Sequence, residues 1–204
     1  MKKLIMLFFS ILFLYSKTYV DYKIIQKVAK KYGIFAKNRF LFQEDLLKSL
    51  INKNDDIMIK LNKINIFYNQ SKYLSDMILY HKIDYWATPY QFLGKDAGDC
   101  EDYAIAKYFA LKYLKINPKK LYFVYVRVKK TNTPHMVLAY FKTLNSQPLI
   151  LDNLTNKIFP ASKRKDLIPV YMFNPVILEK TLKQKNGVYR KWDDLIKRIK
   201  KGII

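Results

Sequence analysis

Gly98-Asp99-Cys100-Glu101-Asp102-Tyr103-Ala104-Ile105-Ala106-Lys107-Tyr108-Phe109-Ala110-Leu111-Lys112-Tyr113-Leu114-Lys115 is the stretch that decides how this chain is read. From Cys100 onward apolar residues fall on nearly every side of a helical wheel, and the run stops at Asn117-Pro118. A helix apolar on most sides is a buried one, so the segment predicts the central helix of a core. Its first turn is acidic and carries the only cysteine of the sequence. A helix N-terminus offers unpaired N–H groups and the positive end of the macrodipole, which favour thiolate over thiol. Cys100 is therefore a candidate nucleophile, and its own N–H a candidate donor to an oxyanion. For a lone cysteine taken without its neighbours, a buried apolar filler is the first reading, with an intermolecular link as another.

The flanking carboxylates oppose the nucleophile. Two unit charges about 5 Å apart at an effective dielectric near 20 interact by roughly 3 kcal/mol, so Asp99 and Glu101 should each raise the thiol pKa. They are open to a plain explanation as charges capping a helix N-terminus. A bound hard cation would remove the conflict, because carboxylate oxygens are what Ca²⁺ takes. The residues thus suggest one Ca²⁺ held by Asp99, Glu101 or Asp102 with main-chain carbonyls, although the spacing is not that of an EF-hand loop.

Downstream the period changes. Leu121–Val128, His135–Phe141 and Leu149–Asp152 are short β-branched and aromatic runs bounded by Asn, Thr, Ser and Pro. Helices first and adjacent strands later predict an α+β fold with an antiparallel sheet. His135 opens one strand and Asp152 closes the next, so nucleophile, general base and imidazole orienter can converge. The two face each other directly only if the turn centres between Thr143 and Leu144. The better turn residues, Asn145 and Ser146, would offset them by about four residues, some 13 Å. Slips by an even number keep both side chains on one face. The other histidine, His81, lies in a segment of mixed signals, Asn69 to Tyr90, and reads as a surface or packing residue.

Upstream, Asp21–Lys31 and Glu44–Ile51 read as helices separated at Gly33, and Asp55-Asp56 open a third in which Ile57, Leu61, Ile64 and Tyr68 recur at helical spacing. A last helix, Tyr189–Lys201, has Trp192, Leu195, Ile196 and Ile199 on one side and Lys and Arg on the other; its basic side is a solvated face or a membrane-surface contact. At the start, Lys2 and Lys3 precede the apolar run Leu4–Tyr15. Twelve helical residues span about 18 Å, short of a roughly 30 Å hydrocarbon core, so residues 1–19 read as a secretory signal peptide or uncleaved anchor and 20–204 as one folded domain outside the cytoplasm. The formal charge of +22 invites a nucleic-acid reading, yet only five of the 38 basic residues are Arg and the Lys are spread along the chain, so nucleic acid is not the expected partner.

Taken together, Trp86 with Pro89, the segment from Gly98 to Tyr108, His135-Met136-Val137-Leu138 and Leu151-Asp152-Asn153 resemble the bacterial transglutaminase-like cysteine proteases of the LapG type. The resemblance is close from about Asp84 to Asn153 and rests on size and order elsewhere. It implies a papain-like or transglutaminase-like α+β core, a catalytic triad of Cys100, His135 and Asp152, and an activating calcium at Asp99 and Glu101, with Asp102 a further candidate ligand. It also implies a periplasmic enzyme that clips the N-terminal region of a large surface adhesin and so controls biofilm attachment, with an inner-membrane cyclic di-GMP receptor as its regulator. Transamidation through the same thioester, and a non-catalytic basic binding module, are the competing functions. Trp86 lines the cleft or fills the core on this reading.

Overall fold

In a computed structural model of the protein, which describes residues 18–51, 57–143, 145–181 and 187–204, helices precede strands as the sequence predicts. The elements are α1 (Tyr22–Tyr32), α2 (Ile34–Ile51), α3 (Ile57–Tyr68), β1 (Lys72–Tyr73), α4 (Asp76–Tyr80), α5 (Pro89–Lys95), β2 (Ala97–Gly98) and α6 (Cys100–Tyr113). They continue with β3 (Leu121–Val128), β4 (Pro134–Tyr140), β5 (Leu149–Asp152), β6 (Thr155–Pro160), β7 (Leu167–Phe173), α7 (Pro175–Thr181) and α8 (Gly187–Lys200). Residues 1–17, most of the expected leader, and Asp55 and Asp56 lie outside the described residues.

Local chemistry sets the boundaries. Asp21 caps α1 through the Lys23 N–H, and Gly33, at φ 85°, takes a conformation that L side chains resist, separating α1 from α2. Thr88 and Gln91 form a reciprocal capping box around Pro89 at the head of α5. β3 to β7 make one antiparallel sheet in the order β6-β5-β4-β3-β7. α6 lies against it, with Tyr103, Ala104, Ile105, Ala106, Tyr108, Ala110 and Leu111 all buried beside Leu121, Phe123, Met136 and Leu138. That is the all-round burial its composition requires.

Trp86, 2% exposed, stacks parallel to Phe173 with ring centroids 6.2 Å apart; of its two expected places it takes the core. His81 ends α4 as an exposed left-handed cap. α8 turns Trp192 and Leu195 inward, where Trp192 stacks on Phe109 and donates to Glu179. Its basic side is largely spoken for: Lys191 pairs with Asp84, Lys197 with Asp193 and Arg198 with Asp194. No described helix is long and apolar enough to cross a membrane.

Candidate active site

The hairpin of β4 and β5 brings the two strand-end residues together. Leu138 pairs with Leu151 and Ala139 with Ile150, and continuing this register places Asp152 opposite Val137, two residues from His135. The slip is even, so both side chains keep one face, and a diagonal of about 7 Å lies within reach of an imidazole. Ser146 fixes the turn by exchanging hydrogen bonds with both main-chain groups of Thr143. His135 Nε2 and Asp152 Oδ1 lie 2.8 Å apart with both residues buried. Asp152 Oδ1 also accepts from the Leu154 N–H, and Oδ2 accepts from Arg164 Nη2 at 2.7 Å. Burial would raise this carboxyl, but the His135 hydrogen bond and charge, the Leu154 N–H and Arg164 overcome it and hold Asp152 at about 2.

Cys100 begins α6, and its sulfur lies against the main-chain N–H of Met136, the residue after His135, so the start of α6 and the start of β4 meet. The thiol's hydrogen bond goes to Glu101 Oε2, 2.7 Å away, rather than to His135. Burial, followed by the charges of Glu101 and Asp99, pushes the thiol well above its ordinary value, and the Met136 N–H offsets only part of this. On its own, then, the acidic turn keeps the sulfur protonated, as Coulomb's law predicts from the sequence.

The carboxylates do more than cap. Asp99 stands at the N-cap of α6 in extended conformation, yet its side chain makes no capping hydrogen bond. Instead Asp99 and Asp102 converge with Asp76, one oxygen or more from each lying within 4.8 Å of the others. Asp76 Oδ2 accepts from the Tyr85 N–H and Asp102 Oδ1 from the Ala87 N–H. That leaves Asp76 Oδ1, Asp99 Oδ1 and Asp102 Oδ2 buried without a hydrogen-bond partner. Burial, then Glu101, Asp102 and Asp76, pushes Asp99 up to about 10, while Asp76 and Asp102 are raised mainly by burial. Three orphaned carboxylate oxygens with elevated proton affinity form a donor set suited to a hard divalent cation. Gly98 makes room for it: a Cβ there would stand 2.6 Å from Asp102 Oδ2 and 2.5 Å from a Phe92 ring carbon.

Of the three predicted ligands, Asp99 and Asp102 join this group, whereas Glu101 directs a carboxylate oxygen to the thiol. Asp76 and Arg164 escape sequence reasoning. Asp76 arrives through the parallel pairing of β1 with β2, Lys72 with Ala97 and Tyr73 with Gly98, a two-residue contact with no pattern of its own. Arg164 does carry a signal: it is one of five arginines in a chain that otherwise uses lysine.

Residues 43–166 match the family described as bacterial transglutaminase-like cysteine proteinase, BTLCP. The chain is similar to Legionella pneumophila LapG, with 38% identity and a TM-score of 0.73 over 90% of this chain and 99% of that one. Against EGTA-treated LapG the identity is 38% and the TM-score 0.73, over 90% and 100% of the two chains. Against calcium-bound LapG they are 39% and 0.72, over 88% and 99%. Among curated proteins, none matches. A family match across more than half its length, and this identity over nearly all of a solved relative, place the chain among the bacterial transglutaminase-like cysteine proteinases, and it is a cysteine peptidase of that family.

Proposed function

We propose that this cysteine peptidase is a calcium-dependent periplasmic endopeptidase that cuts the N-terminal region of a large surface adhesin and thereby controls biofilm attachment. The observation that carries the catalytic part is the 2.8 Å contact of His135 Nε2 with Asp152 Oδ1, made where the N-terminus of α6 presents the only thiol of the sequence. With Nε2 engaged by Asp152, Nδ1 of His135 is left to take the proton of Cys100 and return it to the leaving amine. The Cys100 sulfur attacks the scissile carbonyl, and the peptide C–N bond breaks to leave an acyl thioester. Water activated by the same imidazole then releases the acid and regenerates the thiol. The main-chain N–H of Cys100, at the first position of α6, is the oxyanion donor.

Asp76, Asp99 and Asp102 are the residues that would hold calcium, supported by their three partnerless oxygens. Bound there, the ion supplies positive charge beside a thiol that the carboxylates otherwise keep neutral. Export is supported by the Lys2–Thr18 segment, and the adhesin substrate and cyclic di-GMP receptor by likeness to LapG-type enzymes. The test is incubation of the purified protein with the N-terminal fragment of a large adhesin from the same organism. A single cut is expected with calcium, and none with chelator or with Cys100→Ala; an uncut fragment under all conditions rejects the substrate.

A further inference from the structure

Asp152 is gripped on both oxygens, and the grip on the side away from His135 has no counterpart among the residues assigned above. Arg164, 7% exposed, donates from Nη2 to Asp152 Oδ2 at 2.7 Å. The same guanidinium straddles Asp166, with Nε 2.9 Å from Oδ1 and Nη2 2.7 Å from Oδ2. The segment that presents it is itself tied down between β6 and β7. The Arg164 N–H donates to Ala161 O, the Leu167 N–H to Arg164 O, and the Lys129 N–H, just past β3, to Asp166 O.

We infer that Arg164, backed by Asp166, is a positioning residue of the peptidase: it fixes the plane and the ionised state of the Asp152 carboxylate so that Oδ1 stays on His135 Nε2. The inference rests on the triad reading above and goes beyond it. A carboxylate held on one oxygen can swing about its Cα–Cβ and Cβ–Cγ bonds, whereas one held on both cannot without breaking a charge-assisted hydrogen bond. A buried carboxylate facing a neutral imidazole would otherwise draw a proton, and a permanent guanidinium prevents that whichever way His135 is protonated. Lysine could supply the charge but not three contacts in one plane. This explains why a chain with 38 basic residues, only five of them Arg, has one of the five here.

Two substrate-free measurements on the full chain in calcium test this. One is the proton resonance of the His135 Nε2–H in protein labelled with ¹⁵N-histidine, identified by its loss in His135→Ala. The other is the second-order rate of Cys100 alkylation by iodoacetamide. Arg164→Gln should abolish or shift the resonance and slow alkylation about 10- to 100-fold, as expected for loss of a charge-assisted hydrogen bond. Arg164→Lys should recover part of the rate, and Asp166→Asn, at a half-exposed residue that leaves the fold intact, should shift the resonance and slow alkylation by a smaller factor. If Arg164→Gln does not fold, Asp166→Asn decides by the same two readouts. Wild-type resonance and rate in the Arg164 and Asp166 variants, beside a slowed His135→Ala, overturn the positioning role alone. An unchanged rate in His135→Ala overturns the triad and this inference together.

Discussion

Two acidic centres among the described residues are treated oppositely. At the β4–β5 end, Asp152 is surrounded by groups that favour its charge, Arg164 and His135 among them, and its pKa falls to about 2. At the head of α6, Asp76, Asp99 and Asp102 face one another, and Asp99 rises to about 10. No Lys or Arg among the described ion pairs reaches these three, in a chain of formal charge +22. Cations are not scarce in this protein; they are kept from one site. The difference teaches that the first centre finds its counter-charges within the chain, whereas the second has none among the described ion pairs, which is why the proposed function gives it a cation from outside.

The most damaging way to break the first centre is Asp152→Asn. It leaves the shape and removes the charge, and by analogy with other triads activity should fall about 10³- to 10⁴-fold. Melting temperature should also fall, with or without calcium, because Arg164 loses a buried partner. Steady-state cleavage and thermal denaturation check both.

Gly98→Ala attacks the second centre by volume. A methyl group 2.5 Å from Phe92 and 2.6 Å from Asp102 Oδ2 must displace one or both, at about 1–3 kcal/mol. The melting temperature in chelator should drop by several degrees and the response to calcium should weaken, both measurable by calorimetry.

Asp99→Asn separates the centres by sign. In chelator at neutral pH it should raise the melting temperature, because Asp99 must take up a proton on folding there and asparagine need not. The calcium-induced rise, about 2.7 kcal/mol at a hundredfold excess over Kd in the native protein, should largely vanish. Asp152→Asn, by contrast, destabilises under both conditions. A fall in chelator for Asp99→Asn would mean that the cluster is already compensated.

The last expected effect is a slope with pH. Asp99 has a folded pKa raised far above the unfolded value of about 3.9, so between the two the folded protein holds a proton that the unfolded chain has released. Its contribution is full below about pH 4 and is lost as pH rises toward 10. In chelator, stability should therefore decline from pH 5 to 9, and calcium should flatten the decline. Urea unfolding across that range measures it.

How much of this was legible in sequence depends on the range of each signal. α6 and the strands β3, β4 and β5 announce themselves by composition and period, and the Cys100, His135 and Asp152 positions follow from where those elements start and stop. Even the register was bounded: the observed pairing lies between direct opposition and the four-residue offset that Asn145-Ser146 implied. β6 was not legible, because Thr155–Pro160 is a half-exposed edge strand without alternation, and neither was β7, which is apolar on both faces and carries Pro169 beside a register shift opposite β3. α5 has only seven residues, too few for a helical period to show. Asp99 and Asp102 were visible as neighbours of the cysteine; Asp76 depends on a two-residue parallel pairing that leaves no trace in composition. Arginine usage carries a signal of its own in a lysine-rich chain. Arg39 bridges the Leu93 and Gly94 carbonyls, Arg198 bridges Asp194 and the Trp86 carbonyl, and Arg164 bridges Asp152 and Asp166, each a spread of contacts that one lysine nitrogen cannot copy.

Lys107 has a practical use. Its amine is 1% exposed inside α6, donates to Asn69 Oδ1 at 2.7 Å, and is lowered by burial to about 7. A water-soluble acylating reagent will modify the surface lysines at once, but it can reach this nitrogen only after α6 has parted from the strands. The last acyl group added to the protein is thus a stopwatch for the opening of its centre, read by mass spectrometry on the native chain without any engineered probe.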